Sequence, residues 1–118
     1  MTKTALIVGA GRGLSAAFAR RLSDNGYKIA LAARNIDKLS RIASDCNAIC
    51  KACDCGDSQS ISELYDWTDT ELGDLSLVLF NASGRLRGAI ESLKSDEVKK
   101  AILTSCYGGF MVGQEAAK

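Results

Sequence analysis

Thr4-Ala5-Leu6-Ile7-Val8-Gly9-Ala10-Gly11-Arg12-Gly13-Leu14-Ser15 is the stretch that decides the fold. Thr4 to Val8 is an apolar run of strand length, and three glycines follow it within five positions. Leu14, Ala17, Phe18 and Leu22 then recur at helical spacing. The stretch therefore reads strand, glycine turn, helix. Glycine permits positive φ and lets the backbone come close to a ligand. The first amides of a helix have no internal partner and sit at the positive end of the helix dipole. Such a turn is suited to a pyrophosphate. The plainer alternative is a tight strand-to-helix connection that holds nothing.

The same alternation continues outward. Asp24-Asn25-Gly26 is a stop signal, with Gly26 placed to cap the first helix. Tyr27 to Ala33 is a second apolar strand, as expected where helices cover both faces of a sheet. Asn35 can cap a helix in which Ile36, Leu39, Ile42 and Ala43 share a face. Ala48 to Cys53 is a third strand. Asp57 or Ser58 starts a third helix with Ile61, Leu64, Thr68 and Leu72 on its inner side, and Gly73 closes it. Leu75 to Phe80 is a fourth strand. Asn81-Ala82-Ser83-Gly84 is expected to turn, and Arg85 to Leu93 to be irregular. Ser95, with Asp96 and Glu97 in the first turn, starts a last helix with Val98, Ile102 and Cys106 on one face. Gly108-Gly109 would weaken that helix by about 1 kcal/mol each relative to alanine.

Repeated strand–helix alternation predicts an α/β fold, a doubly wound, Rossmann-like parallel sheet with right-handed crossovers. The expected strand order is 3-2-1-4. The ligand crevice then lies at the carboxyl ends of the strands, between the first and the fourth. Residues 1–118 form a single domain on this reading.

The glycine spacing is informative in detail. Gly9 and Gly11 fit the first two places of GxGxxG, with Leu14 in the third. Gly9 and Gly13 also fit GxxxGxG, with Ser15 in the last place. In this second spacing Val8-Gly9-Ala10-Gly11-Arg12-Gly13-Leu14-Ser15 resembles the Thr-Gly-xxx-Gly-x-Gly motif of the short-chain dehydrogenases/reductases, with Val8 for threonine and Ser15 for the last glycine. The resemblance covers the whole chain but only the first half of that family's fold.

Several site residues follow. Where versions of this fold that bind NAD carry an acidic residue at the end of the second strand, this chain has Ala33 and then Arg34. Arginine suits a 2′-phosphate through planar, charge-assisted hydrogen bonds. Arg12 is a second cation at the same end, and Lys38 adds to the field. In the family, bases in these two places go with NADP(H). The resemblance further implies that Asp54, with Cys55 beside it, binds the adenine amino group, and that Asn81-Ala82-Ser83 lines the cofactor. Gly9, Gly11, Gly13 and Leu14 complete the expected cofactor site. Turn roles for Asp54 and Asn81 are the local alternatives. Ser105-Cys106-Tyr107-Gly108-Gly109-Phe110, with Gln114-Glu115-Ala116-Ala117, resembles the family's Asn-x-x-Gly-x-Phe…Gln-Ala-Ala helix. Ser105 then stands at the asparagine of the catalytic proton relay, or is a packing serine on a helix.

The family's Tyr-xxx-Lys pair has no counterpart in this sequence: Leu31 follows Tyr27 at that spacing, Asp69 follows Tyr65, and Met111 follows Tyr107. The resemblance thus implies the NADP(H)-binding half of an oxidoreductase acting on a small carbonyl or alcohol. A non-catalytic nucleotide-binding short form and a strand-pairing interaction protein are the alternatives.

Composition narrows the classes. Net charge is +1, which gives no general attraction to nucleic acid or acidic membranes. No apolar run approaches the ~18 residues of a membrane helix, and the default expectation is a cytoplasmic protein. Cys46, Cys50, Cys53 and Cys55 crowd together, but the paired knuckles of a zinc site are lacking, so no metal is expected. An odd count of five cysteines argues against a disulfide framework. The apolar edge left by the fourth strand leads to the expectation of a homo-oligomer.

Overall fold

The computed structural model describes residues 2–118. Its sheet is four-stranded and wholly parallel, in the order β3-β2-β1-β4. The strands are β1 (Thr4–Val8), β2 (Lys28–Ala33), β3 (Ile49–Ala52) and β4 (Leu77–Phe80). The helices are α1 (Leu14–Asp24), α2 (Ser40–Cys46), α3 (Ser58–Leu72), α4 (Ser95–Ile102) and α5 (Gly108–Ala117). This is the Rossmann-like arrangement expected from the sequence. Among the described residues no helix is long and apolar enough to cross a membrane.

The core is split by the sheet, because alternate residues of a strand point to opposite faces. Leu6 and Val8 of β1, with Ala30 and Ala32 of β2, pack under Ile61, Leu64 and Tyr65 of α3 and Met111 and Val112 of α5. Ile7, Ile29 and Leu31 face the other way, against Ala16 and Ala19 of α1 and Ile42 of α2. β1 is buried along its whole length, whereas all four residues of β4 are half-buried. β4 pairs with β1 alone among the described residues.

Several local expectations are corrected. Asn35 does accept from the Asp37 N–H at 3.0 Å, but it caps a 3₁₀ turn, Ile36–Leu39, that precedes α2. Residues 81–84 form no hydrogen-bonded turn, because the Gly84 N–H goes to the Ser105 hydroxyl at 2.8 Å. The N-cap of α4 is Lys94, with no side-chain cap, so Ser95 is the first helical residue. α4 and α5 are joined by a π-helical turn, Leu103–Tyr107. Ile102, just before this turn, and Cys106, within it, are exposed, while Met111 and Val112 beyond it go inward. Gly108 is the reason the helix can approach the sheet: a Cβ there would lie 2.6 Å from the Cys55 carbonyl oxygen.

Candidate nucleotide site

The site lies at the carboxyl ends of the strands. β1 ends at Val8, and Gly9 and Ala10 turn away by donating both their N–H groups to the Ala32 carbonyl at 2.9 Å. Gly9 has φ +84°, and a Cβ on it would come within 2.5 Å of Ala82 Cα, so only glycine lets the β1 and β4 exits pass each other. Gly13, also at positive φ, is the N-cap of α1. No side chain caps this helix and its first turn holds no acidic residue. Its first amides are therefore free for an anion. A Cβ on Gly11 or Gly13 would meet nothing within 4 Å, so the turn is bare toward solvent, as a pyrophosphate cradle must be.

Ser15, only 2 % exposed, sits beneath this turn. It donates to the Gly9 carbonyl at 3.2 Å and accepts from the Asn81 amide at 2.7 Å. The serine that replaces the motif's last glycine thus ties the glycine turn to the end of β4.

Two adjoining clefts open here. One, about 610 Å³, is lined by Ala10, Gly11, Arg12, Ala33, Arg34, Asn35 and Lys38. Three cations line it and no carboxylate does. Among the described residues the ion pairs are Arg20–Asp45 and Lys118–Glu115, so Arg12, Arg34 and Lys38 are unpaired. The second, about 230 Å³, shares Ala10, Ala33 and Arg34 and adds Gly9, Cys53, Cys55, Asn81, Ala82, Ser83 and Thr104.

The structure therefore brings together Gly9, Gly11, Arg12, Arg34, Cys55, Asn81, Ala82 and Ser83. Gly13 flanks them beside Arg12 and Lys38. Three of the residues expected from the sequence stand apart. Leu14 is 66 % exposed and lines neither cleft. Asp54 uses one carboxylate oxygen to accept the Gly56 N–H at 2.9 Å, while the cysteines on either side of it face the cleft. Ser105 is engaged with the Gly84 backbone. Cys53 and Thr104 were not anticipated. Cys53 directly follows β3, and Cys55 stands two residues on, in the turn that leads to α3; both line the cleft. Thr104 comes from the π-helical turn, for which the sequence carries no signal.

The cysteines differ in character. Burial pushes the Cys46 and Cys50 thiols up. Cys53 is pushed down to about 7, chiefly by a hydrogen bond from the adjacent Cys55 thiol, against the effect of burial. Cys55 is raised correspondingly, by the same hydrogen bond and by burial. Among the described residues no group of three or more His, Cys, Asp or Glu could hold a metal ion.

The sequence profile of the short chain dehydrogenase family matches residues 3–118. The chain belongs to that family. Versicolorin reductase stcU of Emericella nidulans is 31 % identical over 97 % of this chain and 46 % of its own length. The 2,3-dihydro-2,3-dihydroxybenzoate dehydrogenase of Bacillus subtilis is 31 % identical over 98 % of this chain and 46 % of its own. Among solved structures, an alcohol dehydrogenase from Thermococcus sibiricus complexed with 5-hydroxy-NADP superposes with a TM-score of 0.90 at 28 % identity, over 99 % of this chain and 52 % of that one. The chain spans about half the length of the relatives it matches.

Proposed function

We propose that this chain binds NADP(H) in the paired clefts, as the nucleotide-holding part of an oxidoreductase that interconverts a small carbonyl compound and an alcohol. The observation that carries the reading is the convergence of Arg12, Arg34 and Lys38, all unpaired, on a cleft without a carboxylate. Their charge matches a 2′-phosphate. The turn from Gly11 to Gly13 and the uncapped start of α1 would hold the pyrophosphate. Cys55, Ala82 and Ser83 would line the rest of the nucleotide. The bound nucleotide supplies or accepts hydride at its nicotinamide ring. The complex of the Thermococcus sibiricus relative with 5-hydroxy-NADP supports the choice of nucleotide.

Within this chain, Ser105 has its hydroxyl committed to the Gly84 backbone, so it braces the segment after β4 and leaves proton transfer to other groups. Titration with NADPH and NADH, followed by quenching of the single tryptophan or by calorimetry, tests the reading. A charged hydrogen bond contributes about 1.5–3 kcal/mol, so NADPH should bind at least about tenfold more tightly. Equal affinity for the two would overturn it.

A further inference from the structure

Hydride chemistry gives the two cleft thiols no task. Cys53 and Cys55 are 3 % and 6 % exposed, and what surface they have opens into the cleft beside Arg34, Asn81 and Ser83. Both belong to one buried cluster with Met111 and Val112, so they stand on the same side of the chain. Their backbone is fixed from three directions. The Cys53 N–H donates to the Ala33 carbonyl at 3.0 Å. The Asp54 N–H donates to the Ser60 hydroxyl at 2.8 Å. The Cys55 carbonyl and Cβ lie against Gly108, where a side chain would collide with them. The remaining cysteines are elsewhere: Cys46 is in the core on the opposite face of the sheet, Cys50 packs against it, and Cys106 is exposed on the π-helical turn.

We propose that Cys53 and Cys55 form a dithiol oxidation site inside the cleft, where a hydroperoxide converts them to a disulfide that lowers nucleotide affinity. The chemistry is assigned by environment. Of the two thiols in this cleft, Cys53 is the one held below its ordinary ionisation, at about 7, by the hydrogen bonds of Cys55 and Ser60 against burial and the charges of Asp54 and Asp57. Its sulfur attacks the peroxide, the O–O bond breaks, and hydroxide leaves with a proton as water, giving a sulfenic acid. The Cys55 sulfur then attacks the Cys53 sulfur, the S–O bond breaks, and its thiol proton leaves with the hydroxyl as a second water. Two thiols and one hydrogen peroxide give one disulfide and two waters. The ring so closed contains a single intervening residue, so Asp54 must turn and its contacts to Gly56 and Ser60 are strained. A strained disulfide of this kind is readily reduced, which makes the modification reversible. The effect on affinity rests on the reading of the cleft as a nucleotide site, whereas the thiol chemistry does not.

The test treats the protein, with Cys106→Ser to remove the exposed thiol, with one equivalent of hydrogen peroxide in the absence of nucleotide. Intact mass should fall by two hydrogens, peptide mapping should place the cross-link between Cys53 and Cys55, and dithiothreitol should reverse it. NADPH affinity should then drop by about tenfold, the loss expected for one well-made contact, and recover with dithiothreitol. NADPH added first should slow the oxidation. With Cys55→Ser, peroxide should add oxygen at Cys53 and yield no cross-link. Oxidation reaching Cys46 or Cys50 before Cys53, or a mapped disulfide that leaves NADPH affinity unchanged, would overturn the proposal. Protein that never binds NADPH but forms the disulfide would refute the nucleotide reading and keep the dithiol chemistry, so the two failures are distinct.

Discussion

The Asn81 side-chain amide donates to the Ser15 hydroxyl at 2.7 Å, and Ser15 passes the bond on to the Gly9 carbonyl at 3.2 Å. Three elements that are far apart in sequence meet in this relay: the end of β4, the start of α1 and the glycine turn. Because Ser15 is buried, removing its hydroxyl leaves two partners short of a bond. Ser15→Ala should cost about 1–2 kcal/mol, and Asn81→Ala a similar amount. The double variant should lose less than the sum, with a coupling of about 0.5–1 kcal/mol. Denaturant unfolding of the four proteins measures it, and strict additivity would mean that the relay does not act as a unit.

Glycine positions separate packing from binding. A Cβ at Gly9 meets the backbone of Ala82 and carries positive φ, so neither neighbour nor chain can yield. Gly9→Ala should destabilise by about 3 kcal/mol or more. Gly108→Ala should be costly as well, since the clash is with the Cys55 carbonyl oxygen. Gly11→Ala has open space around it and should leave the unfolding midpoint within about 0.5 kcal/mol of the parent. Its effect should instead fall on nucleotide affinity.

What the sequence made legible follows from the range of the forces involved. β1, β2 and the inner face of α3 are set by local periodicity, and the glycine turn by its spacing, so these were read with small errors at the ends. The π-helical turn at Leu103–Tyr107 was not, because it arises where α5 must meet the sheet through Gly108, a tertiary requirement. For the same reason the sequence carries no sign of Thr104 in the cleft, whereas the shared face of Val98, Ile102 and Cys106 is legible from its spacing and stands largely uncovered. Arg12 and Arg34 were legible because each follows directly on a strand or a glycine. The roles of Asp54 and Ser105 depend on backbone partners, Gly56 and Gly84, that residue type alone does not announce.

Cofactor preference should follow Arg34, which lines both clefts. Arg34→Asp replaces a cation by a carboxylate at the end of β2, where it can accept from a ribose hydroxyl and repel a 2′-phosphate. The variant should bind NADH more tightly than NADPH. Lys38→Ala, at the edge of the same cleft, should weaken NADPH by about threefold to tenfold and leave NADH unchanged, as befits a partly screened charge. Isothermal titration of both nucleotides decides it, and an unchanged NADPH preference in Arg34→Asp would refute the assignment.

The Tyr65 hydroxyl donates to the Val112 carbonyl at 2.8 Å and joins α3 to α5. Burial, followed by the negative charge of Glu115, pushes its ionisation up to about 12 from an ordinary 10. The folded state thus favours the neutral phenol. The associated stability is full below pH 10 and is lost as pH rises toward 12. The shift corresponds to roughly 3 kcal/mol. Tyr65→Phe should lower stability by about 1 kcal/mol near neutrality and flatten the decline above pH 10. Denaturation curves across that range measure it, and an identical alkaline slope in the variant would contradict the role given to the bond.

Association is the last expectation. β4 pairs on one side only among the described residues, and its four residues are half-buried. On α4 and α5, Ile102 is 57 % exposed and Phe110 60 %, with Phe110 stacked on Tyr107 at 6.5 Å between ring centres. An unpaired apolar strand edge is a template for another chain, and a contiguous apolar helix face is a surface that water disfavours. The 118-residue chain, made by itself, should therefore self-associate at micromolar concentration. Ile102→Glu and Phe110→Lys should each reduce the associated fraction without altering the far-ultraviolet spectrum, because both side chains already face solvent. Light scattering over a concentration series is the measurement. A stable monomer throughout, or association indifferent to both substitutions, would show that this face and edge do not drive it.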